Sequence, residues 1–487
     1  MIAKPENTLT FEAAMVSETG ESMFDPDASV EDELDRYRPP AGRGKKVATR
    51  LQELGFQIRD IGTFSVSGEG PADLWTEVFD THVEKRTQPI SEAHPKAGAV
   101  SYWSHVSDTP FTLPDGLKDL VDRIYPQRPP AFFASPLPPR VNYHHLRAPS
   151  DVATVLRSSP VQKQGVMGEG VLVAMPDSGF YEHPFYDWHG CNYNATLAPD
   201  AVDLDEDSVG HGTAEAANIF ANAPNIDFVG VKMGRNPTLA FKTAADLHPA
   251  VMTNSWGFDI CGSTLPNYLR PLKAAVTEAV RDRGITVCFS AGNGQCGFPA
   301  QMPEVISVGG IYAHEDLDGN DFRLDASDYA SAFDSKIYPG RHVPDVCGLV
   351  GMKPSGVYIM LPVPPGSKID DGLAGETYPD KDETDPDDGW AVISGTSASS
   401  PQIAGVCALL KEVEPGLSPD LVKSILRASA RDVTSGTSNE TGASPEGQPA
   451  GKGHDGATGA GLVDAQMAYQ LARSHTPRDL TALPPPR

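Results

Sequence analysis

Three side chains of this 487-residue sequence could together cleave an acyl bond. Ser397 lies in Ser394-Gly395-Thr396-Ser397-Ala398-Ser399-Ser400-Pro401, His211 in Gly210-His211-Gly212-Thr213, and Asp177 closes the apolar run Val171-Leu172-Val173-Ala174-Met175-Pro176. A serine hydroxyl is a poor nucleophile until a base within hydrogen-bond reach takes its proton. His211 could take that proton and return it to a leaving amine. Asp177 would orient the imidazole and stabilise its protonated form. Taken singly, each has an ordinary explanation: a strand-end turn residue, a packed histidine between glycines, a small-residue helix start. A fourth segment, Phe289-Ser290-Ala291-Gly292-Asn293-Gly294, ends an apolar run on glycines and an amide that could donate to a developing oxyanion.

The segments around these residues say what must hold them. Gly395 permits a tight turn, and Pro401 is tolerated in a first helical turn because its missing N–H has no intrahelical partner there. Ser397 is therefore expected at a helix N-terminus, where the dipole favours negative charge. Apolar strands are expected at Ile226–Val231, Val251–Ser255, Ile285–Ser290 and Val305–Val308, alternating with helices at Thr213–Ala221 and Leu269–Arg283. Further helices follow at Ser418–Ala430 and Leu462–Ala472, and a lead-in helix is expected at Asp151–Leu156. That alternation predicts an α/β fold with a doubly wound, mostly parallel sheet. Ligands in such sheets bind at the carboxyl ends of strands, where Asp177 falls.

The Asp-Ser-Gly, His-Gly-Thr and Ser-Gly-Thr-Ser blocks stand 34 and 186 residues apart, in the order Asp, His, Ser. In motif and order the chain resembles the subtilisin-like serine peptidases, the subtilases. The resemblance implies a serine endopeptidase working through an acyl-enzyme, with Asp177, His211 and Ser397 as its triad. It implies that Asn293 donates to the oxyanion, with the Ser397 N–H as second donor. It also implies that Ser255, Trp256 and Gly257 form a substrate strand, with Gly257, Ala291 and Gly292 as pocket walls. Trp256 departs from the aliphatic residue usual there, and a core tryptophan is the competing reading. Two other functions compete with this one. A sedolisin would carry a Ser, Glu, Asp set and an oxyanion aspartate, against which stand His211 and Asn293. A catalytically silent binding protein is countered by the intact residue set.

Along the chain, residues 1–40 read as a disordered acidic segment and 41–128 as a small α+β domain of ferredoxin-like pattern. Leu51-Gln52-Glu53-Leu54-Gly55-Phe56, the helix ending Glu77-Val78-Phe79-Asp80-Thr81, and Leu113 to Tyr125 resemble the activation prodomain of sedolisins. That resemblance implies a zymogen whose prodomain is its own intramolecular inhibitor. Residues 129–144 read as a Pro-rich linker, 145–475 as the catalytic domain, and 476–487 as a disordered tail.

Composition narrows the partners. With 39 basic and 65 acidic residues, the net charge of −26 disfavours nucleic acid and anionic membranes. No apolar run approaches the ~18 residues of a membrane span. The expected partner is a protein or peptide substrate. The N-terminus lacks a basic region leading into an apolar one, so cytoplasmic synthesis is expected, with a non-standard route if the protein is exported. The six cysteines are sparse and show no paired metal spacing, while a Cys261–Cys296 bridge stays open. No cofactor is expected. Structural calcium is left unassigned: the acidic stretches 315–321 and 380–388 lack the glycine of an EF-hand loop and read better as solvated loops. The insertion at 369–389 reads as an acidic rim over the cleft.

Overall fold

The computed structural model describes residues 7–28, 30–89, 99–106, 113–129, 138–315, 323–354, 356–375 and 378–475. The chain divides into two compact units, Met1–Pro136 and Leu137–Arg487. Half of the expected linker, residues 130–137, and the expected tail lie outside the described residues, as does most of the acidic stretch 315–321.

The first unit contains β1 (Thr8–Met15), α1 (Val30–Glu33), α2 (Arg43–Glu53), β2 (Gln57–Ile61), β3 (Ser65–Pro71), α3 (Ala72–Phe79), β4 (Val83–Pro89), β5 (Ala99–His105) and β6 (Val121–Pro126). An antiparallel sheet runs β2-β3-β1-β6, and β4 pairs with β5 as a separate hairpin. The expectation of disorder over residues 1–40 is corrected here. β1 is a central strand, hydrogen-bonded to β3 on one side and β6 on the other. The reason is legible in Leu9, Phe11, Ala13 and Met15. They alternate along the strand and all point into the core, against Val47 and Leu51 of α2 and Trp75 and Phe79 of α3. Burying that face outweighs the polar character of the acidic stretch that follows. The domain boundary accordingly moves from residue 41 towards the start of the chain.

The second unit opens with β7 (Leu146–Arg147), α4 (Ser150–Val155), α5 (Ser159–Gln162), β8 (Leu172–Asp177), α6 (Pro184–Trp188), β9 (Asn192–Leu197), α7 (His211–Asn222), β10 (Asp227–Lys232), α8 (Pro237–Asp246), β11 (Val251–Asn254) and β12 (Phe258–Asp259). It continues with α9 (Arg270–Arg281), β13 (Thr286–Ser290), β14 (Gly297–Phe298), β15 (Ile306–Ala313), β16 (Leu324–Ala326), β17 (Phe333–Asp334), β18 (His342–Val343), β19 (Val346–Leu349) and β20 (Ile359–Pro362). The last elements are α10 (Lys368–Leu373), β21 (Trp390–Ile393), α11 (Thr396–Val413), α12 (Pro419–Ser429) and α13 (Ala465–His475).

Seven strands line up as β16-β15-β13-β11-β8-β10-β9, and β19 joins alongside β15. All pairings are parallel except that of β16. Strands β11 and β13 are buried at every residue, the signature of a sheet covered on both faces. One face packs α4, α7, α11, α12 and α13; the other packs α8 and α9. The strands and helices expected from the sequence in this unit are all present, with ends shifted by up to three residues except that β15 runs five residues further than expected, to Ala313. Polar, edge-lying β9 gave no apolar pattern to read.

Candidate active site

Asp177 is the last residue of β8, which lies between β11 and β10, and is 2% exposed. His211 is the first residue of α7, and its Nδ1 lies 2.7 Å from Asp177 Oδ1. Gly212 allows this approach, because a Cβ there would sit 2.2 Å from the Gly179 carbonyl oxygen and 3.0 Å from Asp177 Cβ. Sequence reading missed the residue that ties these two segments together. Buried Asp207 accepts from Ser178 Oγ (2.8 Å) and the Gly210 N–H (3.0 Å) through one oxygen. Through the other it accepts from the N–H (3.0 Å) and hydroxyl (2.8 Å) of Thr213. Ser178 Oγ in turn accepts from the Gly212 N–H at 3.0 Å. Nothing in Asp203-Leu204-Asp205-Glu206-Asp207 singles out one carboxylate, since only the fold selects it.

Asp207→Ala would strip four bonds from the two segments that carry Asp177 and His211. It is expected to lower kcat about tenfold, since small misplacements of a catalytic group are costly. The thermal midpoint should fall by several degrees, because buried donors lose their partners. Steady-state kinetics and a melting curve on the same preparation check both; an unchanged kcat would refute the positioning role.

Ser397 is the second residue of α11. Its hydroxyl donates to the Ser255 carbonyl (3.2 Å), and the Ser255 hydroxyl donates back to the Ser397 carbonyl (2.8 Å). The structure therefore brings Asp177 and His211 together and fastens Ser397 to the strand beside it; the hydroxyl turns to Ser255 rather than to the imidazole. Rotation about its Cα–Cβ bond would redirect it, and such bonds commonly tighten only when substrate is bound. At the second helical position the Ser397 N–H has no intrahelical acceptor and stays available.

Asn293 follows β13. Its Oδ1 accepts from the Thr396 N–H (2.9 Å) and the Thr396 hydroxyl (3.1 Å). That fixes the amide orientation and leaves Nδ2 as the donor end. Gly395, at φ 127°, makes room: a Cβ there would stand 3.0 Å from Asn293 Nδ2.

Ser255, Trp256 and Gly257 continue from β11. The Trp256 indole N–H donates to the Pro176 carbonyl at 3.0 Å, and its ring meets Phe289 edge-on with centroids 5.6 Å apart. It is thus a half-buried anchor that holds this segment against the end of β8, nearer the core reading than an open pocket wall. Gly257 is required, since a Cβ would lie 2.8 Å from the Phe298 carbonyl oxygen. Beyond it, β12 pairs with β14, and Cys261 and Cys296 form a disulfide, so the segments bearing Gly257 and Ala291-Gly292 are cross-linked.

The insertion at 369–389 does not simply float as an acidic rim. The Lys368 and Ile369 N–H groups donate to the carbonyls of Ser208 and Val209, bracing the turn into His211. Asp382 is buried and accepts from the N–H groups of Thr384 (3.1 Å) and Val392 (2.9 Å), a structural cap rather than a solvated side chain. Among the described residues the one cluster with metal-ligand spacing is Asp259, Cys261 and Cys296, and both sulfurs are consumed by the disulfide.

Burial alone disfavours a charged His211, but the Asp177 carboxylate and its hydrogen bond, with Glu215 and Asp207 beyond, outweigh it and hold the imidazole above its ordinary pKa. Burial also pushes the Glu215 carboxyl up, against the pull of His211.

A serine, a histidine locked to a carboxylate and an amide donor thus surround the carboxyl end of a parallel sheet. Residues 168–451 match the profile of the Subtilase family. The chain belongs to the subtilase family. This subtilase is a subtilisin-like serine peptidase, a hydrolase of peptide bonds. M-protease of Shouchella clausii (strain KSM-K16) is 24% identical, over 68% of this chain and 75% of its own length. Serine protease AprX of Bacillus subtilis (strain 168) is 28% identical, over 54% of this chain and 62% of its own. A solved Pseudomonas sedolisin covers 69% of the subtilase at 18% identity, with a TM-score of 0.48. No helix among the described residues is long and apolar enough to cross a membrane.

Proposed function

We propose that this subtilase is a serine endopeptidase made as a zymogen, with Asp177, His211 and Ser397 as its triad. The observation that carries the reading is the Asp177–His211 bond of 2.7 Å, which orients the imidazole at the start of α7. Ser397 Oγ gives its proton to His211 Nε2 and bonds to the scissile carbonyl carbon. Asn293 Nδ2 and the Ser397 N–H receive the oxyanion. As the intermediate collapses the C–N bond breaks and His211 protonates the departing amine. Water then repeats the sequence on the acyl-enzyme and restores the Ser397 hydroxyl. The Ser255–Gly257 segment offers backbone to an extended peptide, and Gly257, Ala291 and Gly292 keep the adjoining pocket open. Substrates are proteins or peptides.

The inhibitory role falls to the first unit. Apart from short α1 and the inserted β4–β5 hairpin, its order is β1-α2-β2-β3-α3-β6, with β3 and β1 at the sheet centre, which supports a ferredoxin-like prodomain. A linker of proline-rich sequence would present an extended strand to a cleft built for one, at high effective concentration. Storage in the cytoplasm, with export by a non-standard route, remains part of the proposal, and the Cys261–Cys296 bridge weighs against it because such compartments keep thiols reduced.

Purified full-length protein is expected to react with a fluorophosphonate probe only after a cut within residues 126–150. Added residues 1–136 should then inhibit the cut enzyme; a 41–140 fragment, which lacks the central strand β1, should do so far less well. Full reactivity of the uncut chain, with no inhibition in trans, would remove the zymogen reading and leave the peptidase reading intact.

A further inference from the structure

We propose that Glu215 is a positioning residue for catalysis: its carboxyl group stands on the Nε2 side of His211 and sets the proton load of the base, so that the peptidase gains its active form only at a pH above the ordinary histidine range. The inference rests on the triad reading given above.

The placement follows from the helix. Residues four apart share a face, so a glutamate at 215 comes back beside a histidine at 211. Glu215 Oε1 lies 3.9 Å from His211 Nε2, too far for a hydrogen bond and close enough for strong charge interaction. This is the nitrogen that must accept the Ser397 proton; Asp177 holds the opposite one. Glu215 is 1% exposed, on a helix whose neighbouring positions are Ala214, Ala216 and Ala217. An unpaired buried carboxylate is costly, and an apolar side chain would pack that interior without the penalty. Among the described residues no lysine or arginine pairs with it, and its ionic neighbour is the imidazole.

The carboxyl group is also held in place. Its Oε2 accepts from Asn218 Nδ2 at 2.9 Å. The Asn218 oxygen accepts from Gln402 Nε2 at 3.2 Å, and the Gln402 oxygen accepts from the Leu349 N–H at 2.8 Å. Each amide is thereby oriented by the next, and the chain links Glu215 on α7 to α11, which carries Ser397. Other charged or titratable groups face the pair from several elements. β8 contributes Asp177, and the loop before α7 contributes Asp207. α6 and β9 contribute the phenols of Tyr186 and Tyr193, which burial keeps neutral. α11 presents the neutral Gln402, and the buried residues of α4 and β20, which both pack on α7, are apolar, among them Val152, Ala153, Val155, Ile359, Met360 and Leu361. Among the described residues one imidazole thus faces three carboxyl groups and no cationic side chain.

The sign follows. Neighbouring negative charge favours the imidazolium and so raises the pH at which it loses its proton. Only the deprotonated ring can accept the Ser397 proton, so activity is lost as pH falls through that raised value. Above it, a charged Glu215 would stabilise the imidazolium that reforms during acylation.

The test is kcat/KM against pH on a peptide substrate for the mature wild type, Glu215→Gln and Glu215→Asp. The wild-type acid limb should lie about one unit or more above the ordinary ~6.5 of histidine. Glu215→Gln should lower it by about one unit or more, with KM little changed because Glu215 does not touch the substrate segment. Glu215→Asp keeps the charge and should stay nearer the wild type. A wild-type limb at or below ~6.5, or equal limbs in wild type and Glu215→Gln, would overturn the proposal. If Glu215→Gln fails to fold, the wild-type limb decides, read also from the pH dependence of fluorophosphonate inactivation. Activity surviving without Ser397 would topple the triad reading, whereas an unshifted limb would topple this inference alone.

Discussion

Ser397→Ala should abolish peptide hydrolysis while the fold survives. The expected loss in kcat is about 10⁶-fold, the scale measured for the matching substitution in a subtilisin. The structural cost is small. The hydroxyl makes a single hydrogen bond, to the Ser255 carbonyl, and the side chain is only half-buried. Losing such a bond costs about 1 kcal/mol. The return bond from the Ser255 hydroxyl reaches the Ser397 backbone carbonyl and is untouched by the substitution. Circular dichroism and melting should therefore match the wild type while turnover vanishes. Hydrolysis within tenfold of wild type would mean that another group attacks the carbonyl.

Asn293 carries the second large effect. Asn293→Ala should lower kcat by about 10²–10³-fold with little change in KM, a magnitude taken from the matching asparagine of a subtilisin. The alanine variant also strips the acceptor used by the Thr396 N–H and hydroxyl, which blurs its meaning. Asn293→Asp separates the two roles. The carboxylate still accepts from Thr396 but has no donor for the oxyanion and adds a negative charge beside it. Its kcat should fall at least as far as that of alanine, while its melting temperature stays closer to the wild type. A fully active Asn293→Asp would show that the amide donates to nothing in the transition state.

The sequence made the sheet and the candidate triad legible for a common reason. A parallel sheet covered on both faces needs near-continuous apolar strands, and chemistry in such a sheet collects where those strands end. Val171 to Asp177 shows both features in seven residues. Asp207 and Glu215 stayed hidden because their roles depend on neighbours far from them in sequence. Asp207 matters through Ser178, and Glu215 is held through Asn218 and Gln402. Strand β1 was hidden for the opposite reason. Its period-two pattern is plain in Leu9, Phe11, Ala13 and Met15, but the polar stretch behind it weighed more in a reading by composition. Trp256 shows a further limit: its position beside Ser255 was evident, whereas the acceptor that turns its ring inward, the Pro176 carbonyl, belongs to another strand.

Helix α11 has almost no solvent face, since every residue from Ala398 to Lys411 is buried. A surface helix can dock early on one neighbour and wait. An interior one has no defined seat until the sheet beneath it and the helices around it have closed on it from all sides. Ser397 rides on the first turn of that helix, whereas His211 belongs to α7 and Asp177 to the sheet itself. A chain still emerging or half-assembled therefore holds all three side chains without holding them in register. The three groups come into register only in the assembled domain, and an incompletely folded copy is disarmed by geometry before any inhibitor is called on.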